Sequence, residues 1–464
     1  MMDLNQVCDA VGGQMIGVDR LLQGVTTDSR QDCTDQLFVA LCGDQYDAHD
    51  FIDQAEKHGA VAAVVDRDVS SSISQVRVDD TQQALGDLAA WWRAQFAIPV
   101  VGITGSVGKT SVKEMLACIF SQVSKGLVTQ GNLNNEIGVP LTLLQLTPED
   151  NFAIIEMGMN HAGEIARLTR MVKPSVALIN NAAAAHLEGL GSVENVALAK
   201  GEIFEGLSQD GISVINADDE YAGLWLELSG KYQTVSFGLE NTADVSAQYC
   251  LNNRGISMQV RAFDREFEIA LPLVGKHNVM NALAAIAVSC AANIPIDKII
   301  SGLAEYRPIN GRLNLSTVGD ITLIDDSYNA NPASMQAAIE VLARFDESTL
   351  IVGDMGELGT SSEFEHLRLG ELATKNGIDQ LFAVGAFAEQ VISKFDGDAK
   401  AFKDQSELLS FLSNANQTKT TVLVKGSRAA KMENVVEHLI TLNVNTPAQE
   451  QQNSQQNQNI ARNE

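Results

Sequence analysis

Val100-Val101-Gly102-Ile103-Thr104-Gly105-Ser106-Val107-Gly108-Lys109-Thr110-Ser111-Val112-Lys113 joins an apolar run to a glycine-bearing turn, with a lysine, a threonine and a serine where a helix would begin. The apolar run reads as a buried strand, and the order strand, loop, helix is that of a phosphate cradle. Glycines let backbone N–H groups curl around phosphate oxygens, and the new helix adds the positive end of its dipole. Lys109 then supplies a point charge and the Thr110 hydroxyl a ligand for Mg²⁺. Gly105, Ser106, Val107, Gly108, Lys109, Thr110 and Ser111 are therefore the expected nucleotide-binding residues. The full Walker pattern has glycine where this chain has Ile103, which leaves the shorter form Gly105-x-x-Gly108-Lys109-Thr110.

Outward from the loop the same rhythm repeats. Phe152-Ala153-Ile154-Ile155, Val176-Ala177-Leu178-Ile179 and Ile212-Ser213-Val214-Ile215 are continuous apolar runs, as strands buried on both faces of a parallel sheet require. The segment 233–271 alternates in period two (Ile256, Met258, Val260; Phe267, Ile269, Leu271) and reads as a small antiparallel addition. An alanine-rich helix follows, from Asn278 to Ala292. These elements make a central domain over 98–308.

Ahead of it, Gln36–Leu41 and Ala60–Val65 read as strands around a helix from Asp50 to His58, a small α/β domain over 1–82. Thr81 is placed to cap a linker helix over 83–97. Behind it, Ile321–Ile324, Leu350–Val352, Leu381–Val384 and Val422–Val424 restart the strand and helix alternation. That predicts a doubly wound, Rossmann-like α/β domain over 309–444. Residues 445–464 are rich in Gln and Asn and too poor in apolar groups to fold, so a disordered tail is expected.

A chain of 464 residues has room for three such domains. Its net charge of -27 argues against nucleic acid, whose binding rests on Lys and Arg neutralising phosphates. The six cysteines show no Cys-x-x-Cys spacing, which argues against a zinc site or a disulfide framework and for buried reduced thiols. No basic, apolar leader and no membrane-length apolar run is seen, so the expected location is cytoplasmic.

Other residues have chemistry in reach. Glu156 follows a buried strand, where it is either a solvated carboxylate or an oxygen ligand for Mg²⁺. His186, past the strand 176–179, is either structural or a ligand. Lys200, among apolar neighbours, either snorkels its stem along the core or, desolvated, adds CO₂ to become a carbamate that binds metal. Asn278 and Asn281 lie one helical turn apart and either cap the helix or read a base edge. Arg312 suits a γ-phosphate and Asp326 a ribose, against plainer readings as a surface arginine and a turn residue.

Gly105-x-x-Gly108-Lys109-Thr110, Glu156, His186, Lys200, Asn278, Asn281, Arg312 and Asp326, in this order over nearly all of residues 1–442, resemble the Mur ligase family of ATP-dependent amide-forming enzymes of peptidoglycan precursor synthesis. Asp326-Ser327-Tyr328-Asn329-Ala330-Asn331-Pro332, Gly353-Asp354-Met355-Gly356-Glu357-Leu358-Gly359 and Lys425-Gly426-Ser427-Arg428 look like the branch that adds D-alanyl-D-alanine to UDP-N-acetylmuramoyl-tripeptide. Thr27-Asp28-Ser29-Arg30 looks like part of the family's uridine-nucleotide-binding domain.

The resemblance implies ATP and Mg²⁺ as cofactors and an acyl-phosphate intermediate. It assigns metal to Thr110, Glu156, His186 and carbamylated Lys200, and catalysis to Lys109, Lys200, His186 and Arg312. Adenine would fall to Asn278 and Asn281, ribose to Asp326, and the substrates to Thr27, Ser29, Arg30, Asn329 and Asn331. It also implies closure of the third domain over the second. The rival readings are a sibling Mur or folylpolyglutamate-type ligase with another amine acceptor, and a P-loop switch that turns over nucleotide without one.

Overall fold

The computed structural model describes residues 2–43, 45–253, 255–414 and 420–444; the expected tail over 445–464 lies outside the described residues. Three large sheets with flanking helices follow one another along the chain, and Met2–Asp3 pairs with Leu21–Leu22 in a separate two-stranded sheet. The first has five strands in the order Gln14–Ile16, Ser74–Arg77, Ala62–Val65, Gln36–Val39, Gly24–Thr26, all parallel except Gln14–Ile16.

The helix Thr81–Arg93 leads out of this sheet. Asp80, rather than the expected Thr81, caps it, its carboxylate accepting from the N–H groups of Gln82 (2.8 Å) and Gln83 (2.9 Å). The Thr81 hydroxyl is used elsewhere, donating to the Ala40 carbonyl at 2.8 Å and tying the helix start to the first sheet. Ala84, Leu85, Leu88 and Ala89 recur at helical spacing and are buried in one core with Val39 and Val64 on one side and Val100 and Val139 on the other. At the far end Arg93 donates to the carbonyls of Val172 and Phe96. The expected linker thus fills a core shared by two sheets.

The central sheet has nine strands. Their order is Arg265–Leu271, Gly255–Ala262, Val245–Asn252, Gln233–Phe237, Ile212–Asn216, Val176–Ile179, Val100–Thr104, Ala153–Glu156, Leu127–Val128. The antiparallel addition is smaller than expected. Gln233–Phe237 pairs in parallel with Ile212–Asn216, because the helix Ala222–Leu228 between them makes a crossover, and only 245–271 form antiparallel ladders. The strand Val100–Thr104 lies between Val176–Ile179 and Ala153–Glu156, with Ile103 opposite Glu156 and Thr104 opposite Ile179. Three strand ends therefore converge where the phosphate loop leaves the sheet.

The third sheet runs Asn314–Val318, Ile321–Asp326, Thr421–Lys425, Ser348–Gly353, Gln380–Val384, Asp398–Phe402, with the first strand antiparallel and the rest parallel. Alternate residues feed two cores. Ile324, Leu350, Val352 and Leu423 pack with Met335 and Leu369, while Leu323, Ile351, Val422 and Val424 pack with Leu408 and Val435 on the opposite face. Helices on both faces are what a doubly wound sheet requires.

All six cysteines are free, but only Cys33 is buried; Cys42 and Cys250 are exposed, contrary to expectation. Cys42 lies in a loop beyond the strand Gln36–Val39 and Cys250 on the open part of the hairpin strand Val245–Asn252, positions that core packing does not reach. No helix among the described residues is long and apolar enough to cross a membrane.

Candidate active site

A cavity of about 690 Å³ lies between the central and third sheets, lined by the phosphate loop, Glu156, His186, Asn278, Asn281, Arg312, Asp326, Asn329 and Asn331. It thus gathers most of the residues singled out above, across more than two hundred positions of sequence.

The loop is held by asparagines that sequence reasoning did not assign. Asn181 Oδ1 accepts from the N–H groups of Ser106 (3.1 Å) and Val107 (2.9 Å), and its Nδ2 donates to the Val107 carbonyl at 3.0 Å. Asn180 Nδ2 donates to the same carbonyl (2.9 Å) and to Asn281 Oδ1 (3.1 Å). Gly108 has φ +80°, and a Cβ there would stand 2.2 Å from Asn281 Oδ1, so only glycine fits. Helix Lys109–Ser121 starts at that glycine, so its first amide groups lack intrahelical partners and its first residues line the cavity. Burial holds the Lys109 ammonium below the usual lysine range, and its Nζ donates to the Gly105 carbonyl at 2.7 Å.

Asn278 does not cap its helix. The helix Lys276–Ala291 begins after Gly275, and Asn278 Nδ2 reaches back to the Val274 carbonyl at 2.9 Å. Its Oδ1 accepts from Asn281 Nδ2 at 3.2 Å, so the two amides form a chain ending on the phosphate loop.

Glu156 is 2% exposed. Its Oε1 accepts from Asn134 Nδ2 at 2.8 Å, while Oε2 is buried without a hydrogen-bond partner. A carboxylate oxygen left bare in a cavity beside Thr110 is costly unless a cation joins it. The donor set, a carboxylate and a hydroxyl, suits Mg²⁺, a hard ion that takes oxygen ligands.

The third domain reaches into this site at three points. Arg312 Nη2 donates to Thr110 Oγ1 at 3.2 Å, its guanidinium stacked 4.5 Å over the Tyr328 ring. His186 Nδ1 lies 2.7 Å from Glu357 Oε2, a close contact without the angles of a hydrogen bond. The His186 imidazole holds the Glu357 carboxyl below the usual carboxylate range. Asp326 Oδ2 accepts from Lys425 Nζ at 2.5 Å, and Lys425 also donates to the Asn329 carbonyl at 2.9 Å. Glu357 and Lys425 lay in segments quoted for resemblance, but no local pattern gave either a role.

The pattern of the Mur ligase middle domain matches residues 103–289, that of the Mur ligase glutamate ligase domain residues 311–428, and that of the Mur ligase catalytic domain residues 21–93. The chain belongs to the Mur ligase family. The UDP-N-acetylmuramoyl-tripeptide–D-alanyl-D-alanine ligase of Escherichia coli (strain K12) is 45% identical over 442 residues, covering 94% of this chain and 98% of that protein. The ligase of the same name from Bacillus subtilis (strain 168) is 35% identical over 433 residues, 90% of this chain and 93% of its own. A crystal structure of MurF from Acinetobacter baumannii superposes with TM-score 0.90 at 36% identity, covering 94% of this chain and 98% of that one. MurF from Thermotoga maritima in complex with ADP superposes with TM-score 0.82 at 28% identity, covering 91% and 98%.

In this Mur ligase Lys200 is 2% exposed on the helix Val193–Gly201. Burial, with the neighbouring Lys109 charge, pushes its ammonium well below the usual lysine range; Asp219 opposes the shift. Asn331 spends its side chain as the cap of the helix Pro332–Leu342, accepting from the Ser334 N–H at 2.9 Å. Asn329 Oδ1 accepts from the Arg428 N–H at 3.2 Å. Thr27, Ser29 and Arg30 stand away from the cavity, in the loop after the edge strand Gly24–Thr26. There Ser29 Oγ donates to Gln54 (3.3 Å), and the exposed Arg30 pairs with Asp28 (2.8 Å).

Proposed function

We infer that this Mur ligase joins D-alanyl-D-alanine to UDP-N-acetylmuramoyl-tripeptide at the expense of ATP, releasing UDP-N-acetylmuramoyl-pentapeptide, ADP and phosphate. One observation carries the reading to this cavity. Arg312 of the third domain meets Thr110 of the phosphate loop, so cationic groups from two domains face one anion site.

A carboxylate is a poor electrophile, and its oxygen a poor leaving group. Transfer of the γ-phosphoryl group to the tripeptide carboxylate makes an acyl phosphate, which the D-alanyl-D-alanine amine attacks with expulsion of phosphate. Lys109 and Arg312 offset the charge spread over the transferring oxygens, and two domains hold the reactants in line. Thr110 and Glu156 would hold Mg²⁺, which when bound neutralises phosphate charge. The bare Glu156 oxygen supports that assignment.

Lys200, whose ammonium form burial disfavours, is suited to carry CO₂ as a carbamate and to act with His186 in holding a second cation. Asn278 and Asn281 lie beside the loop on the side proposed for adenine, with Asp326 and its partner Lys425 at the ribose. Asn329 and Asn331 would meet substrate at the third-domain wall. Thr27, Ser29 and Arg30 would hold the uridine end of the UDP-substrate in the first domain. Closure of the third domain over the second would exclude water from the acyl phosphate, and the Arg312–Thr110 bond between the two supports that reading.

Mass spectrometry of products from ATP, D-alanyl-D-alanine and UDP-N-acetylmuramoyl-tripeptides ending in meso-diaminopimelate or L-lysine tests the reaction. A UDP-pentapeptide is expected from one or both. Phosphate release that continues without any amine acceptor and yields no pentapeptide would instead favour a nucleotide switch.

A further inference from the structure

Beyond the strand Gln36–Val39 the chain turns through Cys42 and Asp47, which form an isolated bridge, into the helical turn Ala48–Phe51 that carries His49. Asp66 follows the end of the neighbouring strand Ala62–Val65. One ligand atom each from Cys42, His49 and Asp66 falls within a sphere of mutual distances of 4.8 Å. Cys42 Sγ lies 3.7 Å from His49 Nδ1, 3.7 Å from Asp66 Oδ2 and 3.5 Å from Asp47 Oδ1. Bond lengths for zinc place a sulfur and a nitrogen or oxygen on one tetrahedral ion about 3.6 Å apart.

The surrounding groups favour a cation at that point. Arg67 pairs with Asp47 Oδ2 and, at 3.1 Å, with Asp66 Oδ1, and its Nη1 also reaches Cys42 Sγ at 3.9 Å, a contact the ion would replace; Asp47 Oδ1 and Asp66 Oδ2 lie within 3.7 Å of the sulfur. Two carboxylates against one guanidinium leave a net negative charge. A divalent ion with a thiolate in place of the thiol brings the cluster to neutrality.

His49 is 5% exposed, with Nδ1 2.7 Å from Asp47 Oδ1 and Nε2 3.1 Å from the Asp66 N–H and 3.2 Å from Asp66 Oδ1. An ion on Nδ1 displaces the proton shared with Asp47. Nε2–H then donates to Asp66 Oδ1 in place of accepting the Asp66 N–H, which supplies the carboxylate partner that metal-bound imidazoles take.

We propose that Cys42, His49 and Asp66, with Asp47 beside them, bind a thiophilic divalent cation of the zinc class. The ion clips Cys42 and the helical turn Ala48–Phe51 to the end of Ala62–Val65. Binding releases the Cys42 proton, while the His49 ring keeps its single proton, moved from Nδ1 to Nε2. No cysteine lines the nucleotide cavity, so sulfur ligation distinguishes the two sites.

The test uses the full, reduced chain titrated with Co²⁺ and then Zn²⁺ in excess Mg²⁺. A thiolate-to-Co²⁺ charge-transfer band that saturates near one equivalent, and that Zn²⁺ displaces, is expected. Cys42→Ser, at an exposed position, should abolish the band and weaken Zn²⁺ binding at least about 10-fold in equilibrium dialysis. Asp66→Asn should weaken it with the band retained. No band in the unaltered chain, or a band that survives Cys42→Ser, overturns the proposal.

Discussion

Arg312 Nη2 donates to Thr110 Oγ1 at 3.2 Å although 202 positions of sequence separate them. With its guanidinium stacked on Tyr328, the arginine is already held in place, so in the proposed phosphoryl transfer it would lose little order as charge develops. Arg312→Ala should lower kcat by about 100-fold or more with little change in melting temperature. Arg312→Lys should recover only part of the loss, because the fork geometry is gone. Amine-dependent phosphate release measures both.

Gly108→Ala puts a methyl group 2.2 Å from Asn281 Oδ1 at φ +80°. Asn180 and Asn281 must give way, which costs on the order of 1–3 kcal/mol of stability and breaks the bracket on the loop. Nucleotide affinity should fall more than stability does, as a fluorescent ATP-analogue titration beside a thermal melt will show.

Lys200→Ala should be nearly inactive, and small carboxylates such as acetate should restore part of the activity if the lysine works as a carbamate. A carbamate signal in the native protein under ¹³C-bicarbonate, absent from the variant, checks the same point by NMR. Full activity of Lys200→Ala, without any rescue, returns the residue to a packing role.

His277, in the cavity wall, has its imidazole pKa pushed down to about 4 by burial, with Lys425 adding to the shift. The folded ring is therefore neutral between about pH 4 and 6.5 while the unfolded ring takes up a proton. Stability due to this group is complete above that window and is lost as pH falls through it. The ring keeps some solvent contact, so the loss is on the order of 2 kcal/mol, less than the full shift implies. Urea midpoints at pH 7 and pH 4.5 should differ less for His277→Gln than for the native chain.

Most of the site was readable because its parts are local. The phosphate loop is a contiguous strand, turn and helix start, and Glu156 follows a run of apolar residues that can only be a buried strand. The readings that shifted were those where neighbours in sequence compete for one job. Asp80 took the cap from Thr81 because the threonine hydroxyl had a carbonyl to bind across the fold. Asn278 lost the cap to the turn at Gly275. Strands such as Leu127–Val128, Asn314–Val318 and Asp398–Phe402 escaped notice because they are short or half polar and lie at sheet edges.

The sequence by itself determined the three-part α/β plan, the strand, glycine turn and helix start around residues 100–113 and the family, since each rests on periodicity or on motifs a few residues long. Tertiary structure alone decided which distant groups meet: Asn181 and Asn281 around the loop, Glu357 against His186, Lys425 on Asp326, and Cys42 beside His49 and Asp66. The absence of a Cys-x-x-Cys spacing had argued against a thiol-bearing metal site. Sheet order brought the ends of two parallel strands together and with them a thiol, an imidazole and a carboxylate. Spacing along a chain reports contacts only within one element, whereas contacts between elements follow from strand order and from how the sheets dock.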